Sequence, residues 1–179
     1  MFINQKILNF LIFFFCFNIF SSIAQTNEDV PLNNMVINEM PKPISSLIFE
    51  DFSGNKINLN DYHGKLVIIN FWATWCAPCK KEMPSLDKLS QDKNFKNLQA
   101  LAVNMEQPNK LKTKKFFSDL NIQALEIFFD QNLNFVKEFK LRGVPTTILI
   151  NKKGEEFARI IGEINFQDKK FLEWLSKYD

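Results

Sequence analysis

The chain has 179 residues, of which 46% are hydrophobic and 23% are charged, as in an ordinary globular protein. Its formal net charge is +2, and its 22 Lys and Arg residues alternate along the chain with 20 Asp and Glu residues. Because there is no basic block or stripe, the sequence gives no case for nucleic-acid binding. The length predicts one domain.

The first 24 residues have the pattern of an export signal. Lys6 supplies a positive charge, residues 7–20 are almost wholly apolar, and Ser22-Ile23-Ala24 forms a small-residue cleavage site before Gln25. A cleaved signal peptide is favoured over a membrane anchor through residues 7–24, because a membrane span needs roughly 20 predominantly apolar residues. In either case we expect the rest of the chain to be periplasmic or otherwise outside the cytoplasm.

The remaining chain divides into a predicted linker and a predicted domain. Residues 25–43 are polar, contain three prolines and show no regular hydrophobic period, which indicates a linker. Residues 44–179 form the predicted domain. It opens with a β-hairpin, because Leu47-Ile48-Phe49 and Ile57-Asn58-Leu59 flank a polar turn.

Strand and helix patterns alternate after this hairpin. Residues 66–73 are apolar and rich in β-branched and aromatic side chains, which predicts a central strand buried on both faces. The other predicted elements are a helix over 77–89 kinked at Pro84, a strand over 98–103, a helix over 110–120, a strand over 125–129, a helix over 132–139 with Leu133, Val136 and Phe139 facing inward, a hairpin over 145–161 and a helix over 166–178. This order predicts an α/β fold with a central mixed β-sheet flanked by helices.

Two cysteines stand at the predicted junction of the central strand and the first helix. Cys76 and Cys79 are close enough in sequence to form a disulfide, and Cys76 falls where the helix dipole favours an anion. A thiolate stabilised there attacks disulfides, and Cys79, one turn deeper, suits the resolving role. A purely structural disulfide would close too short a loop to stabilise much. Structural zinc needs four ligands, whereas the exported part offers these two cysteines and His63, so no metal is expected.

Two motifs carry a family resemblance. Residues 70–84, NFWATWCAPCKKEMP, closely resemble the active-site segment of the thioredoxin superfamily, in particular its TlpA, ResA and DsbE-like branch. Residues 143–147, GVPTT, look like the cis-proline loop of that superfamily. The resemblance implies a thioredoxin fold, a cis bond before Pro145, and pairing of the substrate with the main chain of Val144. Exchange between thiols and disulfides needs no organic cofactor.

Four neighbours of the cysteines bear on the chemistry. The resemblance places Asn70 where cytoplasmic thioredoxins carry a buried aspartate that handles a proton. Because an amide cannot do this, Glu82 is the candidate replacement and a candidate catalytic residue. The alternative is that Glu82 is a solvated acid that complements the helix dipole. Trp75 and Pro78 are expected to form an apolar surface that contacts the partner.

The predicted activity is thiol:disulfide exchange with exported proteins. The resemblance implies reduction of disulfides in apocytochrome c or in copper-site assembly proteins, with electrons from a membrane protein of the DsbD or CcdA kind. Two alternatives stay open: an oxidant that donates disulfides, and a metallochaperone that holds copper between the two thiolates. A reduction potential distinguishes the first alternative, and metal stoichiometry distinguishes the second.

Overall fold

The computed structural model describes residues 30–179. The predicted signal peptide or anchor, residues 1–24, lies outside the described residues, so its cleavage stays a prediction. Within residues 30–179, no helix combines the length and the apolar character needed to cross a membrane.

One mixed sheet runs through the whole described part of the chain. Its strands are β1 (Met35–Pro43), β2 (Ile48–Asp51), β3 (Lys56–Asn58), β4 (Leu66–Trp72), β5 (Leu98–Asn104), β6 (Ile127–Phe129), β7 (Thr146–Ile150) and β8 (Glu155–Ile161). The α-helices are α1 (Ala77–Ser90), α2 (Lys110–Asp119), α3 (Asn134–Phe139) and α4 (Lys169–Leu175). Short 3-10 turns follow β3 at Leu59–Tyr62 and α4 at Ser176–Tyr178.

The strand β4 lies inside this sheet, whose order is β1-β8-β7-β4-β5-β6-β2-β3. It pairs in parallel with β5 and antiparallel with β7, and all of its residues are buried. Alternate side chains enter two separate cores, as period-2 geometry requires: Leu66, Ile68 and Trp72 enter one, and Val67, Ile69 and Phe71 enter the other. The predicted central strand and mixed sheet are confirmed.

Helices cover both faces of the sheet. The helices α1, α2 and α4 pack into the core that contains Leu66 and Trp72, whereas α3 packs into the core that contains Phe71. The predicted β2–β3 and β7–β8 hairpins are both present as antiparallel pairs. The fold is therefore the α/β arrangement that the alternation of elements predicts.

The predicted linker is wrong for its second half, because Met35–Pro43 forms the edge strand β1 against β8. Its sequence lacks an apolar period because Met35 is the one buried residue of the strand. The register also shifts between Ile37 and Lys42. Edge strands tolerate proline, because one side of their backbone needs no partner in the sheet. The folded unit thus includes β1 and does not begin at residue 44.

The predicted inward face of the helix over 132–139 is also wrong in part. Leu133 is the N-cap residue, has a positive φ of 53° and is 46% exposed. The buried side chains of α3 are Phe135 and Phe139. Asp130 determines which face of α3 points inward, because its carboxylate accepts the backbone N–H groups of Asn134 at 2.8 Å and Phe135 at 2.9 Å.

The last helix is shorter than the predicted 166–178. Asp168 caps it by accepting the backbone N–H of Phe171, so α4 spans Lys169–Leu175. The chain then tightens into the 3-10 turn Ser176–Tyr178. Aspartate is a favoured N-cap residue, and here it fixes the start of the helix three residues later than the apolar pattern indicated.

Candidate redox site

The first turn of α1 carries both cysteines, directly after the buried strand β4. Cys76 is the N-cap residue, and its Sγ accepts a hydrogen bond from the backbone N–H of Cys79 at 3.2 Å. The two sulfurs form a disulfide, and their Cα atoms are 5.3 Å apart. The predicted position of Cys76 at a helix N-terminus is confirmed.

The two sulfurs differ in their access to solvent. Cys79 is completely buried, whereas Cys76 keeps 3% of its surface exposed in the oxidised form. The segment that carries them has two exposed apolar side chains beside the cysteines: Trp75, which is 69% exposed, and Pro78. Exposed apolar side chains therefore flank Cys76 on the same loop and helix turn.

The second predicted motif lies at the same end of the sheet. Strand β7 pairs with β4 so that Thr146 stands opposite Phe71, which places the preceding residues beside the end of β4. The bond between Val144 and Pro145 is cis, as predicted. Pro145 is buried, and the partly buried Val144 packs against both cores.

Glu82 lies inside the protein, on the helix that carries Cys79. Only 1% of its surface is exposed, so the alternative of a solvated acid is wrong. Its Oε1 accepts from Asn70 Nδ2 at 2.8 Å, and its Oε2 accepts from the backbone N–H of Ile164 at 3.1 Å. Asn70 also donates to Thr147 Oγ1 at 3.0 Å. These contacts hold the carboxyl group in a small buried polar network.

Burial raises the pKa of Glu82 to about 7, although the hydrogen bonds from Asn70 and Ile164 favour the charged form. A carboxyl group with this pKa exchanges its proton near neutral pH, as a general acid or base requires. Asn70 Oδ1 is buried and has no hydrogen-bond partner among the described residues. If the amide turns over, this oxygen can accept the proton of a neutral Glu82. The network therefore suits both protonation states.

A further acidic residue near the site, Glu106, was not found from the sequence. Its Oε2 accepts the backbone N–H of Thr74 at 2.5 Å, and its Oε1 accepts from Thr74 Oγ1 at 3.0 Å. Lys112 Nζ donates to the same Oε1 at 2.6 Å. Burial alone would raise the pKa of Glu106, but the hydrogen bonds from Lys112 and Thr74 outweigh it and lower the pKa. The only sequence signal is a carboxylate just after β5, whose end adjoins the end of β4.

We expect Glu106→Ala to lower the free energy of unfolding by about 1 to 3 kcal/mol, because the buried backbone N–H of Thr74 loses its acceptor. The lowered pKa fixes the pH dependence. The stabilisation that the ionised Glu106 provides is present above the pKa that its carboxyl group has in the unfolded chain. It is lost as the pH falls through the lower pKa that the group has in the folded protein. Urea unfolding at about pH 7 and about pH 3 checks this. If the difference in the free energy of unfolding between variant and wild type were as large at about pH 3 as at about pH 7, Glu106 would not act through its ionised carboxylate.

Comparison with known proteins identifies the family. Residues 40–155 match the model of the AhpC/TSA family. Thiol-disulfide oxidoreductase ResA of Halalkalibacterium halodurans is 36% identical over 110 residues, which cover 62% of this chain and 61% of that protein. Thiol-disulfide oxidoreductase ResA of Geobacillus kaustophilus is 35% identical over 121 residues, which cover 68% of each chain.

A solved structure agrees with these relatives. The crystal structure of StoA from Bacillus subtilis superposes with a TM-score of 0.61 at 26% identity, covering 75% of this chain and 98% of that one. The stretch matched by the family model contains the Cys76–Cys79 disulfide and the loop before β7. The chain therefore belongs to the AhpC/TSA family, in its branch of thioredoxin-like thiol-disulfide oxidoreductases.

Proposed function

We propose that this protein reduces disulfides of exported proteins outside the cytoplasm. The observation that carries the exchange chemistry is the hydrogen bond from the backbone N–H of Cys79 to Cys76 Sγ, at the N-terminus of α1, and the direction of exchange rests on the resemblance to the ResA and TlpA branch. When the disulfide is opened, the same N–H and the helix dipole stabilise negative charge on Cys76. The buried Cys79 lies three residues further along the chain, in the first turn of α1, where it can resolve the mixed disulfide.

The proposed exchange has two steps. The Cys76 thiolate attacks one sulfur of the substrate disulfide, which forms a mixed disulfide and releases one substrate thiolate. The Cys79 thiolate then attacks Cys76 Sγ, which forms the Cys76–Cys79 disulfide and releases the second substrate thiolate. The substrate gains two electrons, the protein dithiol loses two, and the proton of Cys79 passes to Glu82. A dithiol of a membrane protein of the DsbD or CcdA kind restores the reduced pair.

The exposed apolar surface beside Cys76 supplies the proposed contact with the substrate. Trp75 and Pro78 meet the segment around the target disulfide, and the main chain of Val144, before Pro145, pairs with that segment as a short added strand. Recognition through main-chain atoms accepts many sequences, so these contacts position the disulfide and leave selectivity to other surfaces.

We expect Trp75→Ala to raise KM for a protein disulfide about tenfold while kcat changes little, because an exposed aromatic side chain often anchors a partner. Met40→Ala on β1 is the matched control, since Met40 is an exposed apolar residue too, at 83%. Steady-state reduction of insulin by the two variants measures the difference. Equal KM values for both would remove Trp75 from the substrate contact.

The proposed substrates are apocytochrome c or copper-site assembly proteins of cytochrome oxidase. The resemblance to the ResA and TlpA branch supports this choice, together with the two relatives named ResA. The export pattern of residues 1–24 supports a site of action outside the cytoplasm, with membrane attachment through residues 7–24 if that segment is retained.

Two measurements test the proposal. A redox titration against glutathione should give a reduction potential below about −200 mV, whereas a value well above it would assign the protein as a donor of disulfides. In cells, Cys79→Ser should retain substrates as mixed disulfides on Cys76. Recovery of cytochrome c or copper-site proteins supports reduction, and recovery of unrelated secreted proteins contradicts it.

A further inference from the structure

A groove of about 230 Å³ adjoins the redox loop at Thr74. Three lysines line it: Lys80 from α1, and Lys112 and Lys115 from α2. Apolar residues of α2 and the segment after it, Phe116 and Leu120, also line it, and Asp119 of α2 contributes one carboxylate. We call this surface, defined by these residues, the lysine groove. Its three lysines outnumber its one carboxylate, and it also has apolar residues, so its composition suits a chain that carries both apolar and negatively charged groups.

The apolar part of the lysine groove is held in place by the core. Phe116 is only 6% exposed, and its ring lies 4.5 Å from the ring of Trp72, centroid to centroid. Trp72 is the last residue of the buried strand β4. A segment bound in the groove would therefore rest on a surface that is already ordered, which reduces the entropy lost on binding.

The charges of the lysine groove are not fully balanced within the protein. Lys112 pairs with Glu106 at 2.6 Å and Lys115 pairs with Asp119 at 2.8 Å. Within residues 30–179, Lys80 forms no ion pair with a carboxylate. The side chain of Lys115 is 76% exposed, so its pair with Asp119 is open to competition by a carboxylate from outside.

The helix α2 carries most of its lysines near its N-terminus, where the helix dipole disfavours positive charge. Its sequence KLKTKKFFSD has four lysines in the first six positions and no acidic residue in the first turn. Cations near a helix N-terminus oppose the macrodipole, so Lys110 and Lys112 in the first turn do not stabilise α2 through the helix dipole. Lys110 and Lys114 lie over the ring of Phe52, at 5.4 and 5.3 Å. The other two lysines line the groove beside the redox loop.

We propose that the lysine groove docks an acidic polypeptide segment next to the disulfide that the protein reduces. The inference rests on the proposed function and adds the substrate class to it. Thr74 lines the groove and stands two residues before Cys76, with the exposed Trp75 between them. One extended segment can therefore place its disulfide at Cys76 and its acidic side chains at Lys80 and Lys115. Complementary charge also raises the rate of encounter.

Three peptide disulfides of equal length, with acidic, neutral or basic residues flanking the disulfide, test the proposal with the reduced full chain. We expect kcat/KM for the acidic peptide to exceed that for the basic peptide about tenfold at low ionic strength. The ratio should shrink toward one at about 0.5 M salt, because salt screens exposed charges. The ratio of the two kcat/KM values is used because any change in the intrinsic reactivity of Cys76 affects both peptides equally and cancels.

The variant that tests the groove is Lys80→Gln combined with Lys115→Gln, and Lys170→Gln on α4 is the control. The double variant should lower the acidic-to-basic ratio at least about threefold, and the control should leave it unchanged. A ratio near one in the wild type, or a ratio that the double variant leaves intact, would overturn the acidic docking surface. If the wild type does not reduce even the neutral peptide, the proposed function itself fails.

Binding provides a readout that does not need exchange. Fluorescence anisotropy of a labelled acidic peptide, with serine in place of its cysteines, should show salt-sensitive binding to the oxidised protein. The double variant should weaken this binding at least about threefold. Absence of such binding would overturn the proposal. It would also be overturned if the wild type bound phosphatidylglycerol vesicles, the double variant lost that binding, and neither protein preferred the acidic peptide, because the groove would then be a lipid site.

Discussion

Replacing Cys76 with serine should abolish reduction of protein disulfides, lowering kcat/KM at least about a thousandfold, as removal of a nucleophile does in other enzymes. Serine is nearly the same size as cysteine and is a preferred N-cap residue. Its Oγ can accept the backbone N–H of Cys79 that Cys76 Sγ accepts at 3.2 Å. We therefore expect the fold to survive while the attacking sulfur is lost.

Cys79→Ser is the matched comparison for this variant. It keeps the more accessible sulfur, so a single turnover should release one substrate thiol and leave a stable mixed disulfide on Cys76. Mass spectrometry of the reaction mixture and insulin reduction separate the two variants. If the Cys76→Ser variant kept its activity and accumulated mixed disulfides on Cys79, the assignment of Cys76 as the attacking thiol and Cys79 as the resolving thiol would be contradicted.

Replacing Glu82 with glutamine should change the pH dependence of the resolving step. In the wild type, we expect the rate of resolution to rise with pH through about 7, because the ionised Glu82 accepts the proton of Cys79. In Glu82→Gln this inflection should be lost, and the rate at neutral pH should fall about a hundredfold. Stopped-flow measurement of mixed-disulfide decay from about pH 5 to about pH 9 tests this.

The glutamine side chain fits the network that surrounds Glu82. Its oxygen can accept the backbone N–H of Ile164, which Glu82 accepts at 3.1 Å. Its NH2 group can donate to Asn70 Oδ1, which has no partner among the described residues, after the Asn70 amide turns over. A rate loss in this variant can therefore be separated from unfolding.

Stability gives a second readout for Glu82. Because its pKa is raised from 4.5 to about 7 in the folded protein, its favourable contribution is fully present below about pH 4.5 and is lost as the pH rises through about 7. The wild type should lose up to about 3 kcal/mol across this range through Glu82, and Glu82→Gln should not. Identical pH dependence of rate and stability in both proteins would remove Glu82 from the proton transfer.

The local parts of the site could be predicted from the sequence. The apolar run that forms β4, the spacing of Cys76 and Cys79, and the cis bond before Pro145 all depend on residues that are close together in the chain or on a motif. Long-range contacts could not be predicted in this way. Glu82 meets Ile164 across 82 positions, and Asn70 meets Thr147 across 77.

The errors in the fold have the same physical origin. β1 is a strand because β8, more than a hundred residues later, offers it a free edge, with Met35 opposite Ile160. The short helix α3 has too few residues to fix its own apolar face, so the carboxylate of Asp130 decides it. Glu106 belongs to the site because parallel strands end at the same edge of the sheet, which residue spacing does not show.

Alkylation of the reduced protein across a range of pH tests the central claim most directly. Because α1 begins at Cys76 and a backbone N–H points at its sulfur, we expect the rate of reaction of Cys76 with iodoacetamide to give a pKa at least about one unit below the 8.5 of a free thiol. Cys79 should react far more slowly. Two thiols that react at similar rates, each with a pKa near about 8.5, would contradict the account.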